Sequence, residues 1–113
     1  MKVNFDGAMF GESDEAGIGV VIWNSKGEVM AALLEKIQKP TMVEALELLV
    51  AKQATCFSLE TSFTNFVLEG DSKSVIRFLR FGGWEKSQGG HLIKDILSFV
   101  NSFQSISFSH IIR

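Results

Sequence analysis

Two apolar stretches around a short polar turn constrain the fold of this chain more than any other feature. AGIGVVIWN (16–24) and GEVMAALLE (27–35) are joined through the residues NSKG at 24–27. Apolar runs of this length around a glycine-containing polar loop are typical of a β-hairpin. The first third of the chain is therefore predicted to contain two adjacent antiparallel strands.

The remaining periodicity completes a mixed α/β pattern. Further strands are predicted at residues 2–8, 65–71 and 105–113, and helices at about 41–57, 72–80 and 91–103. Strands that follow one another directly pair antiparallel, whereas strands separated by a helix pair parallel through a crossover. The order β-β-β-α-β-α-α-β thus predicts an α/β layer fold with a mixed sheet, antiparallel at the front and parallel at the back.

Composition predicts one soluble, intracellular domain over residues 1–113. Hydrophobic residues make up 46% of the 113, and ten are Phe, which suits one compact core. Cys56 is the single cysteine and cannot build a disulfide framework, so a reducing compartment is expected, without a choice between nucleus and cytoplasm. No apolar run approaches the length of a membrane span.

Three acidic residues fall at the start or end of apolar segments, in VNFDGA, VEALELL and VLEGDSKSVI. They are Asp6, Glu44 and Asp71. Carboxylates brought together from separate elements repel one another, so such a group normally persists because a hard divalent cation neutralises it. The pattern points to a metal-dependent nuclease site.

Each carboxylate also has a local structural explanation. Asp6 precedes Gly7 and suits a turn at a strand end. Glu44 follows Thr41 at the spacing of a capping box, in which the glutamate returns to the first amide of the helix. Asp71 directly precedes a predicted helix and suits its N-cap. These explanations treat the residues singly and leave their joint pattern unexplained.

Basic residues are arranged as a stripe, although the chain as a whole is acidic. The net charge of −2 and pI of about 5.6 exclude broad, charge-driven adhesion to nucleic acid. Lys73, Arg77 and Arg80 share one predicted helical face, with Lys86 not far beyond. A solvated helix face is the alternative interpretation. Trp84 either stacks on a base or docks its own loop, and we favour docking.

The segments VNFDGA, AGIGVVIWNSKGEVM, VEALELLVAKQA and LEGDSKSVI, in this order, resemble the ribonuclease H-like domains of plant retroelement reverse transcriptases and their domesticated relatives. The resemblance covers almost the whole chain. It implies a five-stranded mixed sheet flanked by helices. It also matches Asp6, Glu44 and Asp71 to the first three metal-binding carboxylates of the family.

The resemblance further implies an endonuclease that uses Mg²⁺, or Mn²⁺, to hydrolyse RNA in RNA/DNA hybrids. In that mechanism two ions about 4 Å apart activate a water and stabilise the departing oxygen. Asp6 would bridge the ions, Glu44 would help to read the 2′-hydroxyl side, and Asp71 would complete the coordination. The basic stripe would hold the phosphates of the DNA strand.

The sequence departs from this family at its C-terminal end. Family members continue into a helix that carries a fourth carboxylate or its substitute, whereas this sequence ends at Arg113. Asp95 lies in a helical pattern with an apolar face and is a poor replacement. His91 and His110 are the remaining candidates, and alternation in a strand identifies His110 as structural. Weak or absent turnover is therefore expected, together with a homodimer formed through an uncovered apolar sheet face.

Three other functional classes remain open. A catalytically silent relative that binds nucleic acid or a protein surface is favoured by the missing fourth carboxylate and by the acidic pI. Gly17-Ile18-Gly19 hints at a nucleotide-binding module, but it runs inside a strand rather than into a helix N-terminus. A related exonuclease is disfavoured because FDG lacks a second acid two residues on.

Overall fold

A computed structural model describes residues 1–87 and 89–112. Its elements follow the predicted order. They are β1 (Lys2–Met9), β2 (Glu15–Trp23), β3 (Val29–Gln38), α1 (Val43–Leu59), β4 (Asn65–Gly70), α2 (Lys73–Phe81), α3 (Gly90–Ser98), a 3₁₀ turn (Val100–Ser102) and β5 (Ser105–His110). The predicted helix 91–103 thus divides into a shorter helix and a 3₁₀ turn. The predicted last strand ends at His110, and its final residue, Arg113, lies outside the described residues.

The strands form one five-stranded sheet in the order β3-β2-β1-β4-β5. β1 pairs antiparallel with β2, and β2 pairs antiparallel with β3. β4 lies parallel to β1 on one side and parallel to β5 on the other. The predicted mixed sheet, antiparallel at the front and parallel where helices make the crossovers, is therefore confirmed.

The core lies between one face of this sheet and the helices. Val3 and Phe5 are buried on β1, whereas the alternate residues Asn4 and Asp6 belong to the opposite face. The buried side chains of α1 and α2 belong to the same hydrophobic cluster as Val3 and Phe5. Burial on one face alone fixes the register, because a slip by one residue would turn every core side chain outward.

α1 is the longest helix, with 17 residues. It carries Glu44, Glu47 and Lys52 among its apolar residues. Within the described part of the chain, no helix combines the length and the apolar character needed to cross a bilayer.

Candidate functional site

Asp6 and Asp71 reach the same end of the sheet from neighbouring strands. Asn4 on β1 is the register partner of Glu69 on the parallel strand β4. Asp6 and Asp71 each lie two residues further along their own chain segments, at the carboxyl end of the β1–β4 pair. Clefts outside the carboxyl ends of strands are where open α/β sheets bind their ligands.

Contact between β1 and β4 brings the neighbours of the two aspartates together. A Cβ placed on Gly70, which precedes Asp71, would lie only 2.6 Å from Cζ of Phe5, which precedes Asp6. No real Cβ is accommodated at that distance, so the Phe5 ring occupies the space that a side chain at 70 would need. The Phe5 ring on β1 thus fits against Gly70 on β4, so the two strands match in shape as well as in register.

Glu44 lies in the first turn of α1, which packs on β1 beside Asp6. A Cβ on Gly7 would lie 2.8 Å from Cγ2 of Val50 and 2.9 Å from Cγ of Leu46. The glycine after Asp6 therefore permits close approach of α1 to the strand. This contact holds the start of the helix, where Glu44 is half-buried, at the same end of the sheet as the aspartates.

The structure removes two of the local explanations for these carboxylates. α1 has Met42 as its N-cap residue, with no side-chain cap hydrogen bond, so Thr41 and Glu44 do not form a capping box. At α2 the N-cap is Ser72, whose hydroxyl accepts a hydrogen bond from the amide of Val75 at 3.4 Å. The predicted capping roles of Glu44 and Asp71 are therefore wrong.

The third local explanation, a turn at the end of a strand, also fails. Asp6 is exposed and lies inside β1, which continues to Met9. Its Oδ1 accepts a hydrogen bond of 2.9 Å from the amide of Gly7. The side chain is thus held beside its own backbone at the edge of the candidate site.

Hard carboxylate oxygens are the donors that Mg²⁺ prefers, so Asp6, Glu44 and Asp71 suit this cation chemically. Among residues 1–87 and 89–112, however, no three His, Cys, Asp or Glu side chains are gathered closely enough to hold a metal ion. The fold places the three residues at one end of the sheet, but their side chains are not close enough together to form a complete set of metal ligands. Convergence of three like charges needs a cation to offset their repulsion.

The predicted basic stripe lies along the exposed side of α2. Lys73, Arg77 and Arg80 are all exposed. They border a cavity of about 450 Å³ that His110 and Phe81 also line. Sequence reasoning missed Phe81, although it lies four residues beyond Arg77 and thus on the same helical face.

The two other predicted nucleic-acid contacts belong to the loop after α2. Lys86 is exposed, and Trp84 is half-buried and packs against the core. The carbonyl oxygen of Trp84 accepts hydrogen bonds of 2.9 Å from the Ser87 amide and 2.8 Å from the Ser87 hydroxyl. Trp84 therefore docks its loop.

The residues considered for a fourth metal ligand separate into different environments. Asp95 forms an ion pair with Lys52 at 3.1 Å, which occupies its carboxylate. His91 is exposed and lines a cavity of about 580 Å³ together with Glu44. His110 is exposed at the end of β5, and its Nε2 lies 3.2 Å from the backbone carbonyl oxygen of Asp71, which is a structural contact.

Comparisons with known proteins agree with this architecture. Residues 4–113 match the family described as reverse transcriptase-like. No curated protein matches the chain significantly.

Solved ribonuclease H structures have the same fold. RNase H1 from the halophilic archaeon Halobacterium salinarum aligns with a TM-score of 0.86 and 23% identity, over 99% of this chain and 85% of that chain. The N-terminal RNase H domain of a Mycobacterium tuberculosis protein gives 0.81 and 20%, over 100% of this chain and 88% of that chain. LC11-RNase H1, isolated from compost by a metagenomic approach, was solved in complex with an RNA/DNA hybrid. That complex gives 0.81 and 20%, over 99% of this chain and 85% of that chain.

The family match and the fold identify the chain at the level of its family. The match spans nearly all of the sequence, and the sheet order is that of a ribonuclease H-like fold. The more specific resemblance to plant retroelement members stays a prediction. This chain belongs to the reverse transcriptase-like family and has a ribonuclease H-like fold.

Proposed function

We propose that the chain is a ribonuclease H-type endonuclease domain that hydrolyses RNA in RNA/DNA hybrids with Mg²⁺ or Mn²⁺. One observation supports this most directly. Asp6, inside β1, and Asp71, directly after β4, each lie two residues beyond the Asn4–Glu69 register pair, and α1 packs on β1 with Glu44 in its first turn. The hybrid bound to LC11-RNase H1 supports the choice of substrate.

The three carboxylates have distinct roles in this proposal. Asp6, on the central strand, would be a ligand of the metal ions. Glu44, in the helix layer, would help to hold the ions and to read the 2′-hydroxyl side of the RNA strand, and Asp71 would supply a further ligand. When bound, the ions lower the pKa of a water molecule and stabilise the departing oxygen.

The cations of α2 would orient the substrate beside these carboxylates. Lys73 lies two residues after Asp71, and Arg77 follows one helical turn later. Guanidinium and ammonium groups bind phosphate oxygens without reading base sequence, so they fix the position of a strand rather than its identity. Selection of a hybrid then rests on the shape of the duplex.

A catalytically silent nucleic-acid-binding domain is the second candidate. The ion pairs among the described residues are Lys2–Glu69 and Lys52–Asp95, so the α2 cations keep their charge available for phosphates. Binding through these cations needs no carboxylate chemistry. Its affinity should fall steeply with salt, because each phosphate contact releases counterions.

Cleavage of a labelled RNA/DNA hybrid over a Mg²⁺ or Mn²⁺ titration tests the proposal. Asp71→Asn should reduce metal-dependent cleavage by at least about 100-fold, since one ligand of the ions is weakened. Asp14→Asn is the matched control, because Asp14 is exposed in the turn between β1 and β2. Equal cleavage by wild type and Asp71→Asn would refute the proposed nuclease activity. Hybrid binding in chelator, together with no cleavage at any Mg²⁺ or Mn²⁺ concentration, would support the silent domain instead.

A further inference from the structure

The cavity beside α2 combines cationic and aromatic walls at the end of β5. Its volume is about 450 Å³, within the range of roughly 300–1,000 Å³ for small-molecule sites. Its lining residues are Lys73, Ile76, Arg77, Arg80, Phe81 and His110. Among the described residues that line it there is no carboxylate side chain. In a chain of net charge −2, this is a local concentration of positive charge.

The number of cations fits a terminal phosphate better than an internal one. A phosphodiester within a strand carries one negative charge, whereas a phosphate monoester carries about −1.5 to −2 at neutral pH. Lys73, Arg77 and Arg80 border the same small cavity, and in the described residues none is paired with a carboxylate. A dianionic monoester would therefore be attracted to this cavity more strongly than a monoanionic diester.

Phe81 supplies a surface for a nucleobase on the same wall. The residue is 73% exposed although it is large and apolar. The guanidinium of Arg80 lies 5.0 Å from the ring centroid, which is the distance of a cation–π contact. That contact orients the ring beside the cations, and the high exposure leaves aromatic surface available for stacking.

We propose that this cavity binds a nucleotide that bears a phosphate monoester. The phosphate lies among Lys73, Arg77 and Arg80, and the base stacks on Phe81. The source of such a group is either a free nucleoside monophosphate or the 5′-phosphorylated end of a strand. This inference goes beyond hybrid cleavage and does not require it.

The cavity is linked to Asp71 through His110. His110 lines the cavity, and its Nε2 lies 3.2 Å from the backbone carbonyl oxygen of Asp71. A bound strand end would therefore lie directly beside the candidate metal site. The cavity would then position cleavage relative to the end of a strand.

Calorimetric titration of the whole chain in chelator tests the proposal with matched nucleotides. AMP carries a phosphate monoester, adenosine 3′,5′-cyclic monophosphate carries a diester on the same nucleoside, and adenosine carries no phosphate. We expect AMP to bind at least about tenfold more tightly than either of the others, with inorganic phosphate also weaker because it lacks a base. Equal affinity for AMP and the cyclic nucleotide would overturn the proposal.

Amino-acid substitutions distinguish binding in this cavity from nonspecific attraction by surface charge. Arg77→Ala and Phe81→Ala should each weaken AMP binding by about tenfold, and Arg77→Lys should recover part of the loss. Lys94→Ala removes an exposed cation of α3 outside the cavity and should leave the affinity unchanged. Equal losses in Arg77→Ala and Lys94→Ala would also overturn the proposal. Far-ultraviolet circular dichroism confirms that each variant is folded.

Two further measurements identify the source of the phosphate and test the proposed nuclease activity separately. A 5′-phosphorylated oligonucleotide that binds more tightly than its 5′-hydroxyl counterpart identifies the strand end as the ligand. AMP binding without that difference identifies the free nucleotide. Asp6→Asn should lose hybrid cleavage and keep AMP binding, so failure of one proposal is recognisable without failure of the other.

Discussion

Nε2 of His110 lies 3.2 Å from the backbone carbonyl oxygen of Asp71, which links the end of β5 to the residue that follows β4. A second bond reinforces this link, because the amide of Ile111 donates to the carbonyl of Gly70 at 2.9 Å. From the other side, the ring of Phe5 packs against Gly70. Asp71 is therefore held between β1 and β5 by its neighbours, which preorganises the candidate site.

Replacing Gly7 by alanine should destabilise the fold. The new Cβ would meet Leu46 and Val50 at less than 3.0 Å, and such overpacking typically costs about 1–3 kcal/mol. Gly11→Ala is the matched control, because a Cβ there meets nothing within 4 Å. Urea unfolding measures both variants. Equal stabilities would show that α1 can shift away from β1 at no cost.

Glu44→Gln should reduce cleavage with little effect on stability. The glutamate makes no capping box, so only a helix-dipole attraction of about 0.3–1 kcal/mol is lost. Ser72→Ala is the comparison, because Ser72 is a true N-cap and its loss should cost about 0.5–2 kcal/mol. A larger loss of unfolding free energy for Glu44→Gln than for Ser72→Ala would restore a structural role for the glutamate.

Cys56 should react slowly with alkylating agents in the folded chain. Burial raises the pKa of its thiol; nearby Lys52 opposes this, and Glu60 and Asp95 add to it. Because the reactive species is the thiolate, the pH profile of alkylation should lie higher for the folded chain than for the chain in urea. Coincident profiles would contradict this.

The same shift predicts a loss of stability at alkaline pH. A thiol whose pKa is raised by folding favours the folded state fully below the pKa of the unfolded thiol, and that contribution disappears as pH rises through the folded pKa. Cys56→Ala should therefore lose less stability than wild type on going from neutral pH to about pH 10. Urea unfolding across this range checks the prediction, and parallel curves for the two proteins would refute it.

Self-association through the sheet face opposite the helices stays a prediction. Leu34 on the edge strand β3 is 90% exposed and belongs to this face through its partner Gly19. If the face forms a homodimer, Leu34→Glu should raise the dimer dissociation constant by at least about tenfold, because it places a charge in an apolar contact. Light scattering over a concentration series measures this, with the exposed Glu60→Gln as control. A monomer at all concentrations would rule out the homodimer.

Local patterns in the sequence were sufficient for the order and type of the elements. Alternation in β1 and the polar turn after Trp23 depend on neighbouring residues, so they can be read without knowledge of the tertiary structure. The boundaries were less accessible. The helix predicted over 91–103 is too long, because the apolar spacing continues through Phe99 and Phe103. The observed helix ends at Ser98, and the backbone then turns into a 3₁₀ segment before Phe103.

The sequence alone identifies Asp6, Glu44 and Asp71 as candidate metal ligands, because hard oxygen donors are recognisable by residue type. Only the tertiary structure decided that Ser72 and Met42, rather than Asp71 and the Thr41–Glu44 pair, occupy the helix N-caps. It also decided that His110 meets α2 at a cavity. Such facts depend on which strands lie side by side, and that arrangement is set by burial of one sheet face and not by any local pattern.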